Sequence, residues 1–288
     1  MNTHHILLLL LFLLSSCEPK PKGTPKLSMA DLKFPHPERD GAMRKNVHTI
    51  TGLDLDKLQK EYGECYNVDS IYDVISARPY FAFLVDFEEY DIEGHLHTSL
   101  DNVSGAKDGF FILWFRSTYD SLGNTVGIEG HRTNDSITNT YVLEENKLIT
   151  HSVDFNLGRD PLCMGGRSVK YFDSNGYLLK DVQEGCLIEY SYNQNKQLRS
   201  KNWHYSYNDV QRNSQYYYNK IGVLDSVVVK ETEKGRPSYF ERSIYDNNGI
   251  ISCRWVCYRE TQHALNSPVR LSDTVKIIYR YKSYSVSS

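Results

Sequence analysis

The chain has 288 residues, a net charge of −3 and six cysteines. That length holds one or two domains, and the near-neutral balance excludes a basic footprint for nucleic acid and a strong field for steering charged partners. Tyrosine stands out, with 22 against 11 Phe and 3 Trp. An apolar ring with a polar tip suits a pleated surface that is wet on one side, so the composition points to a mainly β protein.

In chain order, Met1 to His5 lead into an unbroken apolar run, Ile6 to Leu14, followed by Ser15-Ser16-Cys17. A membrane helix needs about 20 apolar residues; this shorter run has the length and the small-residue exit of a secretory leader. Leu14-Ser15-Ser16-Cys17 resembles the lipobox of bacterial lipoproteins. The resemblance implies cleavage before Cys17 and acylation of its thiol and new amino terminus, palmitate included. The leader lacks the usual Lys or Arg near its start. Several acyl chains anchor firmly, because each buried CH₂ contributes about 0.8 kcal/mol. Glu18 stands where an Asp would resemble an inner-membrane retention signal, which favours the outer membrane within the cell envelope. Residues 17–47 read as a tether, with Pro19, Pro21, Pro25 and the three lysines Lys20, Lys22 and Lys26 opposing a packed core.

Residues 48–160 read as a small α+β module. Leu55, Leu58 and Tyr62 share a helical face, started by Thr51 or Asp54 and stopped at Gly63. Tyr80 to Phe87 and Gly109 to Phe115 are apolar enough for strands covered on both faces, and 140–150 reads as a hairpin about Glu144 to Lys147.

Residues 161–288 carry a loose repeat. Phe172-Asp173-Ser174-Asn175-Gly176-Tyr177-Leu178 is the cleanest copy. Others begin at Tyr192-Asn193, Tyr218-Asn219 and Tyr245-Asp246, with an outlier at Tyr119-Asp120. Each is an aromatic, then Asp or Asn, a short polar turn, usually Gly, and in the repeat region an aliphatic. In a hairpin the Asp or Asn side chain bonds the turn backbone, Gly supplies positive φ, and the aromatic and aliphatic meet across the strands. The pattern resembles the YD (Rhs-type) repeats of bacterial surface and toxin proteins, whose hairpins add side by side. That resemblance implies an antiparallel hairpin array forming an open curved sheet; an ordinary meander with good turn chemistry is the alternative.

Cys17 aside, five cysteines remain, an odd number. Cys163 with Cys186 is the first disulfide expected in an oxidising compartment, and Cys65 is a partner for Cys253 or Cys257; spacing does not decide connectivity. No zinc spacing occurs among them, and no metal or cofactor is expected. His95 and His97 with Asp91 and Glu93 form the best metal-like group, read as solvated polar residues. His131 and His151 amid acids and serines do not specify a triad, and Gly165-Gly166-Arg167 reads as a turn. No nucleotide-binding, nucleophile-elbow or metalloprotease motif occurs. The acidic stretch Asp86, Glu88, Glu89, Asp91 and Glu93 reads as a charged sheet edge. A glycan hydrolase using two of these carboxylates is one alternative; an accessory or immunity subunit of an envelope complex is another. The leading expectation is a non-catalytic envelope protein, held to the membrane through Cys17. It would bind a partner protein or glycan through a tyrosine-rich face comprising Trp203, Tyr205, Tyr207, Tyr216, Tyr217 and Tyr218.

Overall fold

The computed structural model describes residues 26–54, 84–91, 96–103, 113–120, 122, 124–130, 134–156, 166–206, 209–258 and 275–283. Among them lie a 3-10 turn (Met29–Asp31), one helix, α1 (Pro37–Arg44), and sixteen strands. The strands are β1 (Val47–Leu53), β2 (Leu84–Tyr90), β3 (Leu96–Val103), β4 (Leu113–Tyr119), β5 (Thr125–Gly130), β6 (Asn134–Glu144), β7 (Lys147–Asn156) and β8 (Gly166–Phe172). They continue as β9 (Leu178–Gln183), β10 (Cys186–Tyr192), β11 (Leu198–Tyr205), β12 (Val210–Tyr218), β13 (Leu224–Glu233), β14 (Arg236–Tyr245), β15 (Ile251–Tyr258) and β16 (Val275–Ser283).

Every strand pairs antiparallel with its sequence neighbours, and β1 pairs with β16, so the sheet closes into a barrel. The mainly β expectation stands, and the open curved sheet is corrected: closure satisfies the two backbone edges that an open array would leave unpaired. The acidic stretch is likewise no edge, because β2 is bonded on both sides, to β1 and β3. One sheet runs across residue 160, where β7 pairs with β8. The predicted helix after Asp54 lies outside the described residues.

One rim of the barrel is made by the repeat. Asp120, Asp173, Asn193, Asn219 and Asp246 each accept, on one side-chain oxygen, the backbone N–H groups two and four residues on, at 2.8–3.0 Å. Gly176, Gly222 and Gly249 take positive φ at the fourth turn position, and Lys196 takes it at 62° in the copy without glycine. Each turn sets the aromatic before it opposite the residue six further on. The pairs are Tyr119 with Thr125, Phe172 with Leu178, Tyr192 with Leu198, Tyr218 with Leu224 and Tyr245 with Ile251. A sixth copy escaped the sequence reading: Tyr90 pairs with Leu96 in the same bulged register, and the chain between them reads Asp91-Ile92-Glu93-Gly94-His95. Its signal was the same spacing, obscured by the surrounding carboxylates.

The aromatic–aliphatic pairs form an apolar collar inside this rim, with Tyr90, Leu96, Phe172, Leu178, Leu198, Leu224, Tyr245 and Ile251 buried. Residues 27–46 cap it. Lys33 pairs with the turn at Tyr177 through Lys33 N to Gly176 O (2.8 Å), and Phe34 meets Phe172 edge to face at 5.6 Å. From Leu27 onward the chain is therefore docked structure rather than tether. Helix α1 starts with Pro37 at its first turn, carries acids early and Arg44 late, and buries Pro37, Gly41 and Ala42. Gly41 sits so close to the β14–β15 turn that a Cβ there would overlap the Gly249 carbonyl. Glycine within the segment and the lack of an apolar stripe hid this helix; docking, rather than propensity, holds it.

Candidate functional site

Strand alternation sends every second side chain into the lumen. One inward row, read across paired strands, is Lys170, Asp181, Ile188, Trp203, Arg212, Glu231 and Tyr239. The next is Tyr190, Lys201, Ser214, Val229, Glu241 and Val256. These rows, with Glu38 and Arg39 of α1, line two lumenal cavities. One, of about 470 Å³, is bounded by Arg39, Lys201, Trp203, Arg212, Glu241 and Arg254 among others. The second, of about 550 Å³, is bounded by Asn139, Ser152, Lys170, Asp181 and Tyr190. Pro35, His36 and Lys201 line both.

The lumenal carboxylates are engaged. Glu241 receives Arg254 Nε at 3.2 Å, the Ser243 hydroxyl at 2.8 Å and the Tyr239 hydroxyl at 2.5 Å. Glu38 on α1 accepts the Tyr216 hydroxyl at 2.7 Å, tying the cap to the wall. Glu88 accepts the Tyr90 hydroxyl at 2.5 Å, and Asp181 pairs with Lys170 at 3.3 Å. Burial raises the hydroxyls of Tyr90, Tyr216 and Tyr245 well above the ordinary phenol range, the neighbouring Glu88 or Glu38 adding to it. They remain neutral donors.

Burial first, then the nearby Arg39 and Lys201 charges, push the His36 imidazole down to about 3. Unfolded His36 takes up a proton near pH 6.5 and the folded one near 3, so between these values the unfolded chain holds more protons. Stability from this group is present above about pH 6.5 and falls as the pH is lowered toward 3, by an amount that solvent screening reduces because part of the His36 surface is exposed. Urea midpoints measured from pH 7 to 4 should fall more steeply for the wild type than for His36→Gln; equal slopes would refute a depressed His36 pKa.

The predicted binding residues do not share one surface. Trp203, Tyr205, Tyr216 and Tyr218 follow the inward alternation, Tyr217 faces out and is half exposed, and Tyr207 lies outside the described residues. Trp203 and Tyr216 lie on the lumen wall. Arg212 and Arg254 were missed because nothing local marks which parity of a two-sided polar strand turns inward, and Arg39 because the docked helix that carries it has no apolar stripe. Cys186, expected to bridge Cys163, is a free thiol at the start of β10 beside the Glu184-Gly185 turn, and Cys163 is outside the described residues. Cys253 is also a free thiol, and both it and Cys257 lie on the outward parity of β15. Glu88 and Glu89 alternate, so they form no side-by-side catalytic pair. His97 is exposed and bonded to Thr98, and His151 and Arg167 are exposed; His95 and His131 are outside the described residues. Among the described residues no group of three or more His, Cys, Asp or Glu is placed to hold a metal. None of their helices is long and apolar enough to cross a membrane, which says nothing of a β-barrel.

No protein-family profile matches the chain, and no curated protein sequence matches it. Among solved structures it is similar to a porin-like protein from Bacteroides uniformis ATCC 8492, at 11% identity and a TM-score of 0.39. That match covers 82% of this chain and 98% of that one. It is also similar to a TcdB2-TccC3-TEV structure, at 11% identity and a TM-score of 0.18, covering 66% of this chain and 13% of that one.

Proposed function

We propose that this chain is a non-catalytic lipoprotein of the cell envelope, outer membrane favoured, whose barrel stands in water and binds a ligand in its capped lumen. The observation that supports this most is the outward surface. Directly paired outward residues run Lys180, Glu189, Asn202, Asn213, Lys230. A second row runs Ser191, Ser200, Gln215, Val228, Arg242, Trp255, Lys276. Glu189, Lys230, Arg242 and Lys276 are exposed. A lipid-facing Arg or Lys costs about 2–4 kcal/mol at the bilayer midplane, and spanning barrels carry an apolar outer band instead. The lipid on Cys17, rather than the sheet, is the attachment. The lumen meanwhile combines Trp203, several tyrosines and fixed charges around enclosed volume, the make-up of a small-ligand site.

The test replaces residues 1–17 with a conventional cleavable leader, so that the chain from Glu18 is exported without a lipidated cysteine. The wild type should incorporate labelled palmitate and sediment with membranes. The leader-swapped protein should be recovered, folded, in the soluble periplasmic fraction. Retention of that protein in carbonate-washed membranes would mean that the barrel itself inserts, and the reading would fail.

A further inference from the structure

We infer that the lumen beside Trp203 is an oxyanion site, in which Arg39, Lys201 and Arg212 hold a carboxylate- or phosphate-bearing small molecule. This rests on the lumenal-binding reading and names its ligand class. The three cations line one cavity of about 470 Å³. They come from separate elements, α1, β11 and β12, so their convergence is tertiary.

In that cavity the cations Arg39, Lys201, Arg212 and Arg254 outnumber the carboxylates by one. Its carboxylates are Glu38, Glu88 and Glu241. Glu241 is ion-paired with Arg254 and accepts Tyr239 and Ser243, while Glu38 accepts the neutral Tyr216 hydroxyl and Glu88 that of Tyr90. Glu231, the cross-strand neighbour of Arg212, accepts Ser238 at 3.0 Å. Asp181, in the adjoining cavity, is paired with Lys170. Among the described residues Arg39, Lys201 and Arg212 make no ion pair. Arg212 and Lys201 rest instead on aromatic faces. The Arg212 guanidinium lies 5.6 Å from the Trp203 ring centre and 5.3 Å from that of Tyr239, and the Lys201 ammonium lies 4.4 Å from Trp203. Arg212 Nε is buried with no hydrogen-bond partner.

A buried donor without an acceptor costs free energy, more so on a charged group. Crowding of like charge adds to this: burial lowers the Lys201 ammonium, and Arg39 and Arg212 lower it too, against Glu38 and Asp181, which raise it. An oxyanion removes both penalties through charge-assisted hydrogen bonds, which are the strong ones. Ring stacking against Trp203 and Tyr239 stiffens the two wall cations, so little side-chain entropy remains to be lost on binding.

The experiment is calorimetry on the full-length lipidated protein in non-ionic detergent, at constant ionic strength. The probes are pyrophosphate and citrate, with maltose as a neutral comparator. Tryptophan fluorescence is followed in parallel. The wild type should bind at least one anion and not maltose. Lys201→Met and Arg212→Gln should each weaken binding about tenfold or more, while their circular dichroism and melting temperatures show a folded barrel. Trp203→Phe should abolish the fluorescence change and leave most of the calorimetric affinity. Equal anion affinity in the wild type and both cation variants would overturn the assignment, as would no anion binding at all. Maltose binding without anion binding would overturn the oxyanion site while leaving lumenal binding intact.

Discussion

Replacing Glu241 by alanine is expected to lower the unfolding free energy by about 3–5 kcal/mol, the cost of removing one partner of a buried ion pair. Domains are stable by only about 5–15 kcal/mol, so the effect is a large fraction of the total. The cause is local and specific. Glu241 is 7% exposed, and its two oxygens receive Arg254, Ser243 and Tyr239. Truncation leaves the Arg254 charge without this carboxylate, beside Ser243, Ile277 and the Tyr279 ring. Glu241→Gln keeps acceptor capacity for the hydroxyls and loses the charge, so its cost should be smaller. Glu241→Leu combined with Arg254→Leu should recover much of the loss, because neither charge is then stranded. Urea unfolding followed by circular dichroism measures all three. A loss of about 0.5 kcal/mol or less for the alanine variant, the range of surface substitutions, would show that this wall is hydrated and the pair unimportant.

Gly41→Ala is expected to unseat the cap and cost about 3 kcal/mol, the upper end for overpacking. In a free helix the same change would stabilise by about 1 kcal/mol, so the sign of the effect reports on docking. The added Cβ would overlap the Gly249 carbonyl, which is backbone of a hydrogen-bonded turn and has nowhere to move. Lifting α1 also breaks the Glu38–Tyr216 bond and the Arg44 contact to the Asn248 carbonyl. Melting temperature should fall, and limited proteolysis should cut within residues 27–46 ahead of the strands. Gly166→Ala is the control, since nothing lies within 4 Å of its added Cβ. Unchanged melting and protection in Gly41→Ala would mean that α1 does not sit against this rim.

The turns were legible in the sequence because their chemistry is local. An Asp or Asn, a residue at positive φ three places on, and an aromatic paired with the residue six places after it lie within one short segment. The copy at Tyr90 was legible by the same spacing, had the carboxylates around it not suggested a different role. The candidate site was only partly legible. Trp203 and Tyr216 were singled out as recognition residues, yet they were grouped with Tyr217, which faces the other way.

That error has a physical source. In most half-buried strands hydrophobicity tells the two faces apart. Here both faces are polar: one row carries Lys180, Glu189 and Lys230 outward, and its neighbour carries Asp181, Trp203 and Arg212 inward. Alternation by itself gives relative parity and leaves the choice of inside to the whole sheet. What the sequence alone determined is therefore the β character, the hairpin unit and its turn geometry, since each depends on residues a few places apart. Closure, the sense of the lumen, the docked cap and the convergence of Arg39 with Lys201 and Arg212 were decided only by the tertiary structure. They depend on β1 meeting β16 some 230 residues later, a contact set by accumulated strand twist and stagger that no local pattern encodes.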